Sequence, residues 1–597
     1  MRKLFIVLFF LLLTSLPTFA GTDDSGLQVY TITGDKLLPM APEAALTSDN
    51  PYANIAVNCI NVGNGLQKYT GGQRLFTTPA SGEVSIYPYS ISKIGRNVIW
   101  VSGWDVANAT IEVGIVYGDD YAYYNDNITK GTFYSKKSLI GATAETDLQS
   151  YSPYMPRHFK IYPYIDTTLK YAMVVQYHSQ LWRSDLSSTM TMTTYPTISG
   201  SVFRPSTSAV YKNRLFMMNQ AGNVVFSQSA VYHNFTSSET AGGVINLPSY
   251  SGNVQVDMAA TKDALYLFRT DGIWIISGNG TLSYDFTVEK LSSDSVASYG
   301  SGVITAPNDV VYFMTASGFL KKIEGTIVTS IASAPLVPVG GFIAMQSASV
   351  GDRFLAFTRE RISGYTYDSV PTHAYLYDLL SNTWSIVTNI TALSPEGYMA
   401  SAKALTYLAP FYGAGTAGYD IYDMSQYRIT HKIGIATIPL VRGDTQFRYE
   451  TNWLTLDGSE ANIKTYKRME IDYEVDTEGV YFERNYLGVF LNPNGYYYSY
   501  DFIPTQMYNW GSSYVSALVL SGKNSTMYAV GYDTAFNTAS NYGVQPYKTL
   551  TIPLNMAGSN NSLRLNFTSY SNNIRLKAIR IYYVPLGSYK QTGNKIN

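Results

Sequence analysis

The amino-acid sequence predicts an all-β protein, a β-propeller of about six to seven blades followed by a C-terminal antiparallel β-sandwich. Three observations carry that expectation. Aromatic residues are 14% of the 597 residues, with 53 tyrosines, and charged residues are also 14%, well under the usual share of about 25%. An apolar hairpin with a Gly or Asn turn recurs through the middle of the chain at blade-like spacing. After Arg442 that recurrence stops, and single strands of strong alternation follow. Tyr, Thr, Val and Ile suit a pleated, half-buried surface, and Gly and Asn adopt turn backbone cheaply.

The first element is a basic start at Arg2 and Lys3, an almost wholly apolar run from Leu4 to Leu16, and a small-x-small site at Thr18-Phe19-Ala20 before Gly21. Residues 1–20 therefore read as a signal-peptide-like segment; the alternative is a hydrophobic helix that is kept and packed. The run is too short for an ordinary spanning helix, and no later segment approaches the roughly 20 apolar residues that a stable membrane span needs. Residues 21–57 read as an N-terminal arm.

Residues 58–441 read as the propeller. Arg214–Gln228 (RLFMMNQAGNVVFSQ), Leu265–Gly278 (LYLFRTDGIWIISG), Val311–Gly325 (VYFMTASGFLKKIEG) and Tyr375–Val387 (YLYDLLSNTWSIV) each give strand, turn and strand. Their starts lie 51, 46 and 64 residues apart, the last interval holding an extra strand at Arg353–Glu360. A weaker copy is Tyr171–Asp185. A unit of about 45–50 residues built from paired strands matches a four-stranded blade. A large sandwich with irregular hairpins is the alternative. Strand-like segments within residues 45–165 supply further blades. Residues 442–590, from MEIDYEV through IRLKAIRIYYV, read as a C-terminal β-domain, and 591–597 as a polar tail.

Little in the chain points to chemistry. Lys and Arg number 42 against 43 Asp and Glu, with no polybasic run to grip a phosphate backbone; a wide pore that lets DNA pass would need none. His158, His178, His233, His373 and His431 show no zinc-like spacing, and the single Cys59 can form neither an intrachain disulfide nor a thiolate site. Asp119, Asp120 and Asp126 could offer oxygen ligands to Ca²⁺ but read better as a solvated turn. Ser381-Asn382-Thr383-Trp384 is faintly like a sialidase repeat, yet it lacks the Asp and Gly and reads as a hairpin. Arg442-Gly443-Asp444 reads as an interdomain turn rather than an adhesion motif. The Tyr-rich stretch Tyr496–Tyr500 could present a carbohydrate- or protein-binding surface or simply pack across strands. Eight Asn-x-Ser/Thr sequons, at Asn108, Asn127, Asn234, Asn279, Asn389, Asn524, Asn560 and Asn566, are expected by chance in so Asn- and Thr-rich a chain. No catalytic, cofactor-binding or metal residue is assigned, no cofactor is expected, and the protein is read as a non-enzyme.

An ordered set of segments, Asn58–Thr78 (NCINVGNGLQKYTGGQRLFTT), Asn213–Phe235, Ala264–Gly278, Val288–Ile323, Glu450–Gly458 and Lys464–Val475, resembles the tail nozzle, or packaged-DNA-stabilising tail protein, family of short-tailed bacteriophages. The resemblance implies a homo-oligomer, commonly a hexameric ring, in the virion tail or neck. It would extend and close the DNA channel below the portal and adaptor, partner the tail adaptor or other neck and tail proteins, retain packaged DNA, and let DNA pass at ejection without sequence-specific binding. A signal-like start departs from that pattern. It motivates the alternative of a periplasmic or secreted bacterial β-propeller that binds a surface glycan or protein. A propeller glycoside hydrolase would need two acids across a cleft.

Overall fold

A computed structural model describes residues 26–42 and 50–69, the strands between 73 and 192, most of 197–359, then 373–388, 406–413, 416–423, 447–459, 462–475 and the strands between 488 and 588. Among the described residues the structure is β throughout, apart from one 3-10 turn at Gly34–Lys36.

Six consecutive four-stranded antiparallel meanders form blades 1 to 6. Blade 1 comprises Ile86–Ile94, Val98–Asp105, Thr110–Tyr117 and Phe133–Ser138. Blade 2 comprises Phe159–Asp166, Leu169–Gln176, Leu181–Ser184 and Met190–Met192. Blade 3 is Pro205–Tyr211, Arg214–Asn219, Asn223–Phe226 and Gly243–Asn246. Blade 4 is Gln255–Ala260, Ala264–Arg269, Gly272–Ser277 and Thr287–Ser292. Blade 5 is Val303–Thr305, Val311–Met314, Phe319–Glu324 and Ile327–Ser333. Blade 6 is Ser347–Val350, Phe354–Arg359, His373–Asp378 and Thr383–Thr388. The first strands of blades 3, 4, 5 and 6 lie side by side in that order, and the first strands of blades 1 and 2 adjoin. This is the radial arrangement of a propeller.

A seventh sheet joins Thr406–Gly413 and Thr416–Asp423 to Gln73–Thr77, the strand just before blade 1, with Ile421 opposite Phe76. One sheet drawn from both ends of the repeat array is how a propeller ring closes without leaving an open edge.

The middle strands of the blades read as unbroken apolar runs because both of their faces are covered, and successive side chains point to opposite faces. Phe216 and Met218 pack toward blade 4 with Leu265, Leu267 and Ile276. Leu215 and Met217 pack the other way, with Tyr162 of blade 2. Tyr266 and Phe268 turn to Val311 and Phe313 of blade 5. The tight turn of blade 3 is Lys212-Asn213, with φ of +47° and +56°, between paired Tyr211 and Arg214. Positive φ at both central residues is the hairpin turn whose twist matches the strands, and Asn tolerates it.

The C-terminal sandwich has two sheets. One runs in the order Cys59–Asn61, Leu66–Lys68, Ile574–Ser588, Asn462–Val475 and Lys548–Asn560, with Gln28–Thr33 also paired to Ile574–Ser588. The other runs Leu38–Met40, Tyr52–Val57, Phe447–Thr451, Arg564–Ser569 and Gly488–Asn492. Ile471, Met469, Ile579 and Ile581 from the first sheet meet Tyr449, Leu565 and Phe567 from the second in one core. Tyr514–Gly522 and Ser525–Asp533 form a hairpin that lies against Gly488–Asn492.

This corrects the expected boundaries. Residues 28–57 are not an arm, and 59–68 are not propeller: together they supply strands to the sandwich that 447–588 build. The partners are hundreds of residues apart, as when Asn54 donates to Glu450 Oε1 at 2.7 Å. Local periodicity reports a strand but not a partner so distant. The second sheet also continues into blade 6, where Met40 pairs with Trp384 and Val57 with Ile386.

Candidate functional site

At this junction the N-terminal segment, blades 5 and 6 and the sandwich meet in one set of buried contacts. The hairpin Cys59–Lys68 enters it tightly: a Cβ on Gly65 would lie 2.5 Å from the Leu576 carbonyl, so only glycine fits. Asn61 Nδ2 donates to the carbonyls of Gly34 and Leu37, each at 2.9 Å, and its Oδ1 accepts from the Gly63 amide at 2.7 Å. The Asn61 carbonyl in turn accepts from Arg353 Nη2. Ser385 Oγ donates to the Cys59 carbonyl, and the Asn58 amide donates to Ile386 O at 2.7 Å. The Ser333 amide and hydroxyl both donate to Pro42 O, at 2.8 and 3.1 Å, lacing blade 5 to the same N-terminal segment. Trp384 fills the centre, fully buried among Tyr377, Tyr375 and Phe357, the nearest ring 4.7 Å away. The apolar core runs unbroken from blades 5 and 6 into the sandwich.

The inner strands are also tied to one another. Tyr162 donates to Ser208 O at 2.7 Å, Thr207 to Asp257 Oδ1 at 2.7 Å, and Ser347 to Val303 O at 2.9 Å, spanning blades 2–3, 3–4 and 5–6. All of these donors are buried. Thr207 and Ser347 are small enough for neighbouring inner strands to approach closely, and these three buried hydroxyls are satisfied. Turns between neighbouring blades repeat the pattern at the rim. Tyr211 donates to Asp263 O at 2.7 Å, Lys212 Nζ to Lys262 O at 2.9 Å, the Lys262 amide to Asp309 Oδ1 at 2.9 Å, and Tyr266 to Gly325 O at 2.7 Å. Arg214, 1% exposed, spends its guanidinium on the carbonyls of Ser227, Ala241, Gly280 and Thr281, which pins the blade 4 loop to blade 3.

The outer face of the first sandwich sheet is a cross-strand lattice. Arg468 lies 4.0 Å over the Tyr582 ring, Tyr582 donates to Glu470 at 2.8 Å, and Arg580 bridges Glu470 and Asp472. Arg468 thus occupies a face of the aromatic ring on which a sugar would stack.

The residues weighed for chemistry are scattered. Cys59 is buried, its thiol 3.9 Å from the Arg448 carbonyl, and burial pushes the thiol pKa up, away from reactivity. Ser381 and Asn382 form a turn: Asp378 accepts from the Leu380 amide at 3.0 Å and from Ser381 Oγ at 2.8 Å, and Asn382 has φ +52°. Trp384 is buried beneath this hairpin. His233 is half-buried in the loop after the third strand of blade 3, and His373 begins the third strand of blade 6. Of the sequons, Asn234 bonds Gln228 Oε1 at 2.7 Å, and Asn279 is exposed. His158, His178, His431, Asp119, Asp120, Asp126, Arg442-Gly443-Asp444 and Tyr496–Tyr500 lie outside the described residues. Among the described residues, no group of three or more His, Cys, Asp and Glu is arranged to hold a metal, and no helix is long and apolar enough to cross a membrane.

Asn61, Arg353 and Asp378, the hub of the junction, carry no motif. A signal existed in the first turns, where Lys212-Asn213, Lys262-Asp263, Asn308-Asp309 and Asp352-Arg353 each precede an apolar strand and mark the blade phase better than the later hairpins do.

No family model and no curated protein matches the chain. Among solved structures, an extracellular domain assigned to a one-component system of B. thetaiotaomicron is 10% identical, with a TM-score of 0.38, over 70% of this chain and 52% of that one. The chain thus spans about half the length of that protein. YCF48 bound to D1 peptide is 8% identical at a TM-score of 0.33, over 58% and 94% of the two chains. Apo AztD from Citrobacter koseri is 13% identical at 0.27, over 50% and 72%.

Proposed function

We propose that the protein is a virion structural component, a tail nozzle whose copies form a ring that extends and closes the DNA channel below the portal and adaptor. The observation that carries this reading is the fusion of propeller and sandwich through a shared sheet and core. A conduit subunit must hold its shape against the pressure of packaged DNA, and a continuous sheet resists bending where a linker would not. Some of the segments that resemble the nozzle family fall on the joints of this body, while Asn213–Phe235, Ala264–Gly278 and Val288–Ile323 lie in blades 3 to 5. Asn58–Thr78 spans the junction hairpin and the closing strand, and Glu450–Gly458 and Lys464–Val475 lie to either side of the crossover between the sandwich sheets. In this reading DNA runs along the axis of the ring of copies and not through a single propeller.

The ring is tested by native mass spectrometry of the purified protein and by co-sedimentation with phage particles. A discrete oligomer of fixed order that travels with virions is expected; a stable monomer absent from particles would sink the proposal. The second reading, an exported propeller that binds a surface glycan or protein, is favoured by the apolar start at residues 2–20. N-terminal sequencing of native protein separates the two, since a chain beginning at Gly21 supports export and an intact Met1 supports assembly in the cytoplasm.

A further inference from the structure

The crossover from Phe447–Thr451 to Asn462–Val475 carries the chain from one sandwich sheet to the other. Its turn, Asp457-Gly458-Ser459, has the oxygen-rich character of a cation-binding loop. At its centre lies a side-chain ammonium. Lys464 Nζ is 2.9 Å from Asp457 Oδ1 and donates to the carbonyls of Ser459 and Asn462 at 3.0 Å each. The Lys464 side chain is 0% exposed and that of Asp457 18%. Asp457 Oδ1 also accepts from the Ser459 amide at 3.0 Å, and its Oδ2 accepts from Asn462 Nδ2 at 2.9 Å. Three oxygens converging on one buried charge are what a bound metal ion would receive from such a loop.

We propose that Lys464 is the built-in cation of this crossover, ordering the turn in place of a metal ion and making the link between the sandwich sheets independent of divalent cations. The geometry favours an ammonium: a buried lysine needs its three donors met by oxygens and its charge balanced, and the turn supplies one carboxylate and two carbonyls. The chain just before the turn is constrained as well. Leu456 sits at φ +66°, and its carbonyl accepts from Tyr583 at 3.4 Å. Without the central charge, Asp457 and two carbonyls would face one another uncompensated.

The test uses the full-length chain. K464A should melt roughly 2–4 °C below wild type, and methylammonium chloride should restore at least half of that loss, while sodium chloride at equal concentration restores none. A K464A midpoint equal to wild type, or equal rescue by both salts, would overturn the proposal. Should K464A not fold, the wild-type protein still decides: its midpoint should be the same in excess Ca²⁺ and in chelator, and a rise with Ca²⁺ would mean that the turn takes a metal after all.

Discussion

Arg353 and Asp378 form a two-pronged pair, Nε to Oδ1 at 2.8 Å and Nη2 to Oδ2 at 2.5 Å, and the same Nη2 reaches the backbone of Asn61. One guanidinium therefore binds the second and third strands of blade 6 to the sandwich. The Asp378 side chain is only 6% exposed, so removing its charge leaves a partly buried cation short of its partner. D378N should cost about 2–3 kcal/mol, less than the 3–5 kcal/mol of a fully buried pair because Arg353 keeps some contact with water. Chemical denaturation followed by intrinsic fluorescence measures it, and a cost below about 0.5 kcal/mol would assign the pair no structural weight.

Because propeller and sandwich share a sheet and a core, they should unfold together. Calorimetry of the full-length protein should show one dominant transition, with no separate low-temperature event for residues 447–588. Two well-resolved peaks would mean that the junction is weaker than its geometry implies.

Trp384 sits where the two cores merge, and W384A should cost about 3–5 kcal/mol through lost burial and the cavity left behind. Leu380, 76% exposed four residues earlier, is the control: L380A should shift the midpoint by under about 0.5 kcal/mol.

Arg214 tests the value of a forked donor. R214K keeps the charge but cannot reach four carbonyls in one plane, so it should recover less than half of the stability that R214A loses. Full recovery by lysine would show that charge alone is needed at this position.

Two partly buried carboxylates, Asp294 and Asp457, contribute to the acid limb of stability. Burial would raise the pKa of Asp294, but the Lys321 ammonium at 2.5 Å and the Ser292 hydroxyl outweigh it, and the result lies below the ordinary value. Burial likewise opposes ionisation of Asp457, and Lys464, Asn462 and the Ser459 amide overcome it. A carboxyl depressed on folding contributes its full stability above the unfolded value of about 3.9 and loses it as pH falls through the folded value. The melting temperature should therefore respond to these groups only below about pH 4, and D294N should flatten that limb while leaving neutral pH behaviour little changed apart from the constant loss of the ion pair. An unchanged acid limb in D294N would remove Asp294 from the account.

Much of the propeller was legible because its evidence is local. Arg214–Gln228 and Leu265–Gly278 show strand, turn and strand within fifteen residues, and the structure makes them the middle hairpins of blades 3 and 4. The sandwich was legible as strands but not as an assembly. Nothing in Gln28–Thr33 announces that its partner is Ile574–Ser588, since pairing depends on which edges meet in space and alternation is the same for any partner. The junction was hidden for a related reason. Asn61, Arg353 and Asp378 are ordinary polar residues whose role arises from convergence, and side-chain chemistry alone does not reveal convergence.

The pairing of Gln28–Thr33 with Ile574–Ser588 also sets a timetable for synthesis. The first strand leaves the ribosome more than five hundred residues before its partner. At about 5–20 residues per second, it waits for on the order of a minute with unpaired backbone exposed. Middle blades can pack as they emerge and the ring can close once Thr416–Asp423 is out, but the sandwich stays open until translation is almost complete. A chain truncated late in its gene would therefore lose the closure of its earliest strands as well as its final ones, and nascent copies crowded on one message would offer each other those same free edges.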